Sequence, residues 1–405
     1  MLELHNKKEI RTLGLLLGMV YMISYVTRIN FGAIISEMER TTGISRSLLS
    51  MSVTGSFIAY GAGQIISGIL GDKFSPKKLI SLGFCLTILT NLLIPVCTSP
   101  YAMLVIWCVN GFAQSLMWPP MVRIMTAMLS PKDYQDTVVT VSCGSSIGSI
   151  VVYLLAPVLI AVFSWKAVFW ICAGCGAVML LIWQRFGYDV PVQKIEAKQQ
   201  KSKQQYPALF SPMMLSIMAA IVLQGMLKDG VTTWMPSYIS ETYNLSSAIS
   251  ILTGVCLPLF SIVCYNLSSR LYGTVFQNPI TCAGAFFAVG TGSALGVYLL
   301  SGANAALSVL FSALLTGTMH GANLMLVAMV PARFKANGNI STISGVVNAC
   351  TYIGSAISTY GIALVSEMAG WSTTLLLWIA IAGLGMLLCF AVVKPWKRSE
   401  VKTES

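Results

Sequence analysis

The chain has 405 residues, of which 56% are apolar and only 10% charged, and its mean hydropathy is +0.76. A soluble domain carries about 25% charged residues, so the composition excludes a water-soluble globular protein and marks an integral membrane protein. The net charge of +11 is explained by loop topology, described below, so no nucleic acid is expected as a partner.

The first long apolar run, 12–35, exceeds the ~20 residues needed to cross a bilayer. It is too long for a signal-peptide core and lacks a small-residue cleavage site, so it is expected to be retained. Inside it lies Tyr25-Val26-Thr27-Arg28-Ile29-Asn30-Phe31. An arginine at that depth costs about 2.5–3.5 kcal/mol to insert. Tyr21, Ser24, Tyr25 and Gly32 share its helical stripe, which suits a cation pointing into a wet cavity. Too many residues flank Arg28 for easy snorkelling to an interface.

Further runs follow at 48–70, 79–97, 101–128, 137–162 and 167–184, then at 213–239, 249–267, 279–300, 303–330, 340–365 and 371–393. The expectation is an all-α integral membrane protein of twelve transmembrane helices, arranged as two six-helix bundles. The domains are 1–185, a polar low-complexity linker at 186–212, and 213–405 with a short tail. Lysine and arginine concentrate in alternate loops, with only Arg40, Arg46 and Lys166 on the opposite side and Arg28, Arg123 and Lys228 inside spans. The positive-inside rule therefore puts both termini in the cytoplasm.

No catalytic constellation, nucleotide loop or metal cluster is legible, both histidines stand alone, and the eleven cysteines show no framework spacing. Cys172 and Cys175 form a C-x-x-C within an apolar run and read as small packing residues. No enzyme activity, cofactor or metal is expected. The chemistry instead lies in intramembrane charge. Lys228 stands in the seventh span, the second-half counterpart of the first, on one face with Gln224 and Thr232, while Asp229 is turned about 100° away. Adjacent residues do not face each other on a helix, so a Lys228–Asp229 pair is expected to neutralise poorly. Arg28 and Lys228 are then expected to converge on one anion, the first through a planar fork and the second as a point charge. Other polar candidates at similar depth are Gln64, Gln114, Ser145, His320 and Tyr352. Arg123 lies toward the cytoplasmic end of its span, suited to a gate, a lipid headgroup or a substrate.

Gly68-Ile69-Leu70-Gly71-Asp72-Lys73, followed by Lys77 and Lys78, resembles the signature of the major facilitator superfamily between spans two and three. More closely, three segments resemble the organophosphate:phosphate antiporter family of glycerol-3-phosphate and hexose-phosphate carriers. They are the Arg28 stretch, Asn110-Gly111-Phe112-Ala113-Gln114 through Trp118-Pro119-Pro120 to Arg123, and Leu227-Lys228-Asp229 through Trp234 to Tyr238. The resemblance implies the major facilitator fold, a substrate arginine at Arg28 and a latch at Asp72, Lys73 and Lys77. From their positions in the spans, Arg123 and Asp229 are expected to serve coupling or gating. The chain departs from the family by carrying Lys228 for its second arginine, Gln64 for a lysine and Ser145 for a histidine, and by adding Asp229.

The expected function is secondary transport of a small organic anion, a phosphate ester or carboxylate, across the inner membrane. It works by alternating access, with exchange favoured, in a monomer with the bilayer and the substrate as its partners. Alternatives are a proton-coupled carboxylate carrier with Asp229 or His320 titrating, and a non-transporting sugar-phosphate sensor. Only 394–405 follow the last span, which leaves a sensor little added signalling surface.

Overall fold

Four helix starts share one design: a serine or asparagine cap followed at once by proline. Ser75, Ser130, Ser211 and Asn278 each accept a backbone N–H of the first turn through the side chain, and Pro76, Pro131, Pro212 and Pro279 occupy the position where no N–H is needed. These starts open the third, fifth, seventh and ninth expected spans. The computed structural model describes residues 3–190, 211–245, 253–332 and 340–404. Most of the expected linker at 186–212, the start of the eighth span, Arg333 and Lys335 lie outside the described residues.

In chain order the helices are α1 (Lys7–Ala33), α2 (Ile35–Thr42), α3 (Arg46–Lys73), α4 (Pro76–Leu93), α5 (Pro100–Ser115), α6 (Trp118–Met128), α7 (Pro131–Val162) and α8 (Trp165–Phe186). Then come α9 (Pro212–Tyr243), α10 (Cys256–Thr274), α11 (Pro279–Leu300), α12 (Ala305–Asn323) and α13 (Ile340–Glu404). After α12 the chain runs on through a π-helical segment, Leu324–Met329. Gly370, at φ 76°, breaks α13, so it supplies the last two spans. Among the described residues, 11 helices are long and apolar enough to cross a membrane, and α10 occupies the eighth expected span. The helical, twelve-span reading of the sequence is thus the fold observed.

The chain divides into two compact units. The first holds residues 1–193 together with 334–349, and the second holds 194–333 and 350–405. Within the first, Phe169 packs edge-on against Phe31, Trp107 and Trp165, and Phe31 is tilted against Trp107, forming an aromatic core. The short helix α2 lies outside the spans, where Arg40 donates to Glu37 at 2.7 and 2.9 Å and holds that carboxyl below its ordinary range.

Small residues set the closest helix crossings. A β-carbon at Gly144 of α7 would meet the carbonyl oxygen of Gly18 in α1, whereas one at Gly174 of α8 would meet nothing within 4 Å. Gly144→Ala forces two backbones apart and is expected to cost about 1–3 kcal/mol. Gly174→Ala should be neutral or mildly stabilising. Melting temperatures of the two purified variants, compared in the same detergent, check this; equal values would mean that the α1–α7 crossing is not close-packed.

Candidate functional site

Each of the two units holds a buried cation, Arg28 in the first and Lys228 in the second. Arg28, only 8% exposed, has its guanidinium carbon 4.1 Å from the Tyr25 ring centroid and 4.7 Å from that of Tyr60. Such contacts contribute roughly 0.5–2 kcal/mol each and hold the planar group between α1 and α3. Tyr21 packs edge-on against Tyr25 and tilted against Trp118, which closes an aromatic wall along the same stripe of α1.

The rotation of α1 is fixed by amides from its neighbours. Ser24 donates to Gln114 Oε1 at 2.5 Å, and Gln114 Nε2 donates to Thr27 Oγ1 at 3.0 Å and to Thr87 Oγ1 at 3.3 Å. Asn91 and Asn110 both donate to the Thr27 carbonyl, and Asn30 donates to Asn91. Gln114, expected on the substrate path, thus has its amide engaged in positioning the residue next to Arg28. Gln64 is also fully buried; it donates to the Ser115 carbonyl and accepts from Asn348 at 3.0 Å. Ser145 donates to the Ser142 carbonyl at 2.6 Å.

In the second unit Lys228 is 7% exposed, and its Nζ lies 5.7 Å from the Tyr352 ring centroid. The expectation that Asp229 stands apart from it is corrected. Lys228 Nζ and Asp229 Oδ1 are 3.5 Å apart, because a four-carbon stem can curl around the helix where the Cβ directions diverge. Asp229 also accepts from Ser355 of α13. His320 Nδ1 sits 2.8 Å from the Thr316 carbonyl and 3.1 Å from Ser261 Oγ, with Tyr265 edge-on to its ring. Gln224 donates to the Met319 carbonyl and accepts from Asn323.

The loop after α3 has a separate geometry. Asp72 accepts from the backbone N–H of Ser341 at 3.1 Å and of Thr342 at 2.9 Å, and from the Thr342 hydroxyl at 2.6 Å. A carboxylate thereby sits on the positive end of α13. Arg123 donates to the carbonyls of Gly71 and Phe74, placing a cation on the negative end of α3. Among the described residues Lys73 and Lys77 form no ion pair with Asp72. Instead, the Lys77 carbonyl accepts from Trp183 at 3.1 Å, and Asp189 takes the Ser75 hydroxyl at 2.7 Å.

A profile of the Major Facilitator Superfamily matches residues 17–359. The chain belongs to the Major Facilitator Superfamily. Within that superfamily it is 23% identical over 395 residues to the membrane sensor protein UhpC of Escherichia coli (strain K12), covering 91% of this chain and 88% of that one. It is 23% identical over 415 residues to the glycerol-3-phosphate transporter of Bacillus subtilis, covering 96% and 93%. The fold matches the superfamily transporter FucP, solved in an outward conformation, with a TM-score of 0.75 at 12% identity over 93% of this chain and 97% of that one. Membership in the superfamily places the chain among multi-pass membrane transporters, and its sequence likeness runs to carriers of phosphate esters.

Asn348, a polar candidate of the eleventh span, faces Gln64. Three further residues were not singled out from the sequence: Tyr60 faces Arg28, Ser355 faces Asp229, and Asp189 braces the start of α4. Each is an ordinary side chain in an apolar or loop setting, and only its long-range partner reveals it.

Proposed function

We propose that the protein carries a small organic anion bearing a phosphate group across the cytoplasmic membrane by alternating access, with exchange as its favoured mode. Arg28 and Lys228 both bind the anion. Arg28 supplies the forked donors that match a phosphate or carboxylate edge, and Lys228 supplies a compact charge. The observation that carries this reading is the buried guanidinium of Arg28 held between Tyr25 and Tyr60. Aromatic faces restrain the guanidinium and fix its plane, which presets the fork for a ligand. An empty carrier then keeps the Arg28 guanidinium buried in a low-dielectric interior, and a bound anion lowers the cost of closing around it.

Asp72 and Arg123 gate the cycle by holding the ends of α13 and α3, and Gln114 positions Arg28. The chain acts as a monomer with both termini cytoplasmic. The similarity to UhpC favours one second reading, a sensor that binds a sugar phosphate without moving it. Purified protein in proteoliposomes separates the two. Counterflow of labelled glycerol 3-phosphate against unlabelled ester or inorganic phosphate is expected. Ligand-induced thermal stabilisation without counterflow would establish the sensor reading, and the absence of both across phosphate esters would remove the proposal.

A further inference from the structure

On α1, Arg11, Leu15, Met19 and Met22 recur at helical spacing and so share one face. On α8, Ile171, Cys175, Val178, Ile182 and Arg185 do the same. The two helices pack together within the first unit, and between these faces runs an apolar groove of about 390 Å³. Met19 and Met22 form one wall, and Ile171, Cys175, Val178 and Ile182 form the other. Gly174 also lines it, with nothing within 4 Å of the place a β-carbon would take. Among the described residues no side chain fills the groove, and Met19, Ile171 and Val178 stay 41%, 41% and 58% exposed.

The start of a first span and the end of a sixth lie on the same membrane side, so Arg11 and Arg185 stand at the same mouth of the groove. From Arg11 to Met22 the α1 face is roughly 16 Å long, and from Arg185 to Ile171 the α8 face is roughly 21 Å, at 1.5 Å per residue. One leaflet of the hydrocarbon core is about 15 Å deep. The groove therefore runs from the polar boundary to the middle of the bilayer, the reach of a single acyl chain. Unbranched methionine side chains adapt to such a mobile, irregular guest. Both arginines are exposed, and among the described residues neither is ion-paired. Their forked donors match phosphate oxygens, so an anionic headgroup is the complement of the mouth.

We propose that this groove binds one acyl chain of an anionic phospholipid, with Arg11 and Arg185 meeting its phosphate. The site is separate from the transported anion, because Arg28 is turned about 120° from Met22 around α1. Basic residues at this mouth also satisfy the positive-inside rule, so the charge and the groove are tested apart.

Native mass spectrometry of the delipidated full chain provides the test, using phosphatidylglycerol and phosphatidylcholine with identical chains. The first phosphatidylglycerol is expected to bind about tenfold more tightly than phosphatidylcholine. Arg11→Gln combined with Arg185→Gln should bring phosphatidylglycerol down to the phosphatidylcholine value. Gly174→Phe fills the groove and changes no charge. It should weaken both lipids about tenfold, with the melting temperature in lipid-free detergent staying that of wild type. Gly174→Leu serves if the phenylalanine variant does not fold. Glycerol 3-phosphate shares the headgroup chemistry but has no chains, so it should not displace the lipid. Equal affinity of the wild type for both lipids would overturn the proposal. So would a headgroup preference kept by the double arginine variant, unchanged binding by the filled groove, or displacement by glycerol 3-phosphate.

Discussion

Arg28→Lys is expected to weaken glycerol 3-phosphate binding about a hundredfold and to abolish counterflow, although the charge is kept. The guanidinium presents parallel donors from a plane fixed by two tyrosine rings. An ammonium is a point donor that cannot lie flat between them. Losing one forked, charge-assisted contact in a buried site is worth roughly 3 kcal/mol, or about two orders of magnitude in affinity. Lys228→Arg should be far milder, because the charge beside the Tyr352 ring is kept and a fork adds donors there. Binding measured on both variants decides the matter, with melting temperature as the check on folding. Affinity within threefold of wild type for Arg28→Lys would show that the fork does not meet the ligand.

Asp72→Asn should have the opposite signature: turnover falls about tenfold while equilibrium affinity stays within twofold. The carboxylate accepts two backbone N–H groups and a hydroxyl at the start of α13. An amide keeps one acceptor but turns a donor toward the other N–H, and it loses the charge that complements the helix end, together about 1–2 kcal/mol. That energy acts on the population of states in which α13 is held, and no ligand contact is involved. Thr342→Val, which removes only the hydroxyl contact, should fall between Asp72→Asn and wild type. Exchange rates and dissociation constants for the three proteins test the split; a proportional loss of affinity would make Asp72 part of the binding route.

The spans and both buried cations were legible because their signals are local. Apolar runs of bilayer length and a charge in the middle of such a run need no partner to be recognised. What escaped depends on residues far away in the chain. Gln114 and Gln64 look alike in sequence, but their roles come from Ser24, Thr87, Ser115 and Asn348. The acceptors of the Asp72 cap are paired largely with main-chain donors, and a main-chain N–H leaves no mark on residue identity. The Lys228–Asp229 contact was missed for a different reason. Helical angle describes where a side chain starts, and a lysine ends some five bonds later.

The π-helical segment Leu324–Met329, with every residue buried, bears on how this chain is compared with its relatives. A π turn holds one more residue than an α turn while the helix stays continuous, so it absorbs a single-residue insertion. The tenth span therefore has two phases: His320 and Asn323 belong to one, and Val330 and Pro331 to the next. Aligned without a gap to a relative whose span is purely α-helical, one of these halves is matched to the wrong helical face. A one-residue gap within 324–329 restores both. Deleting Val327 should for the same reason be tolerated better than a deletion elsewhere in the span, because the remaining residues can close into regular α-helix.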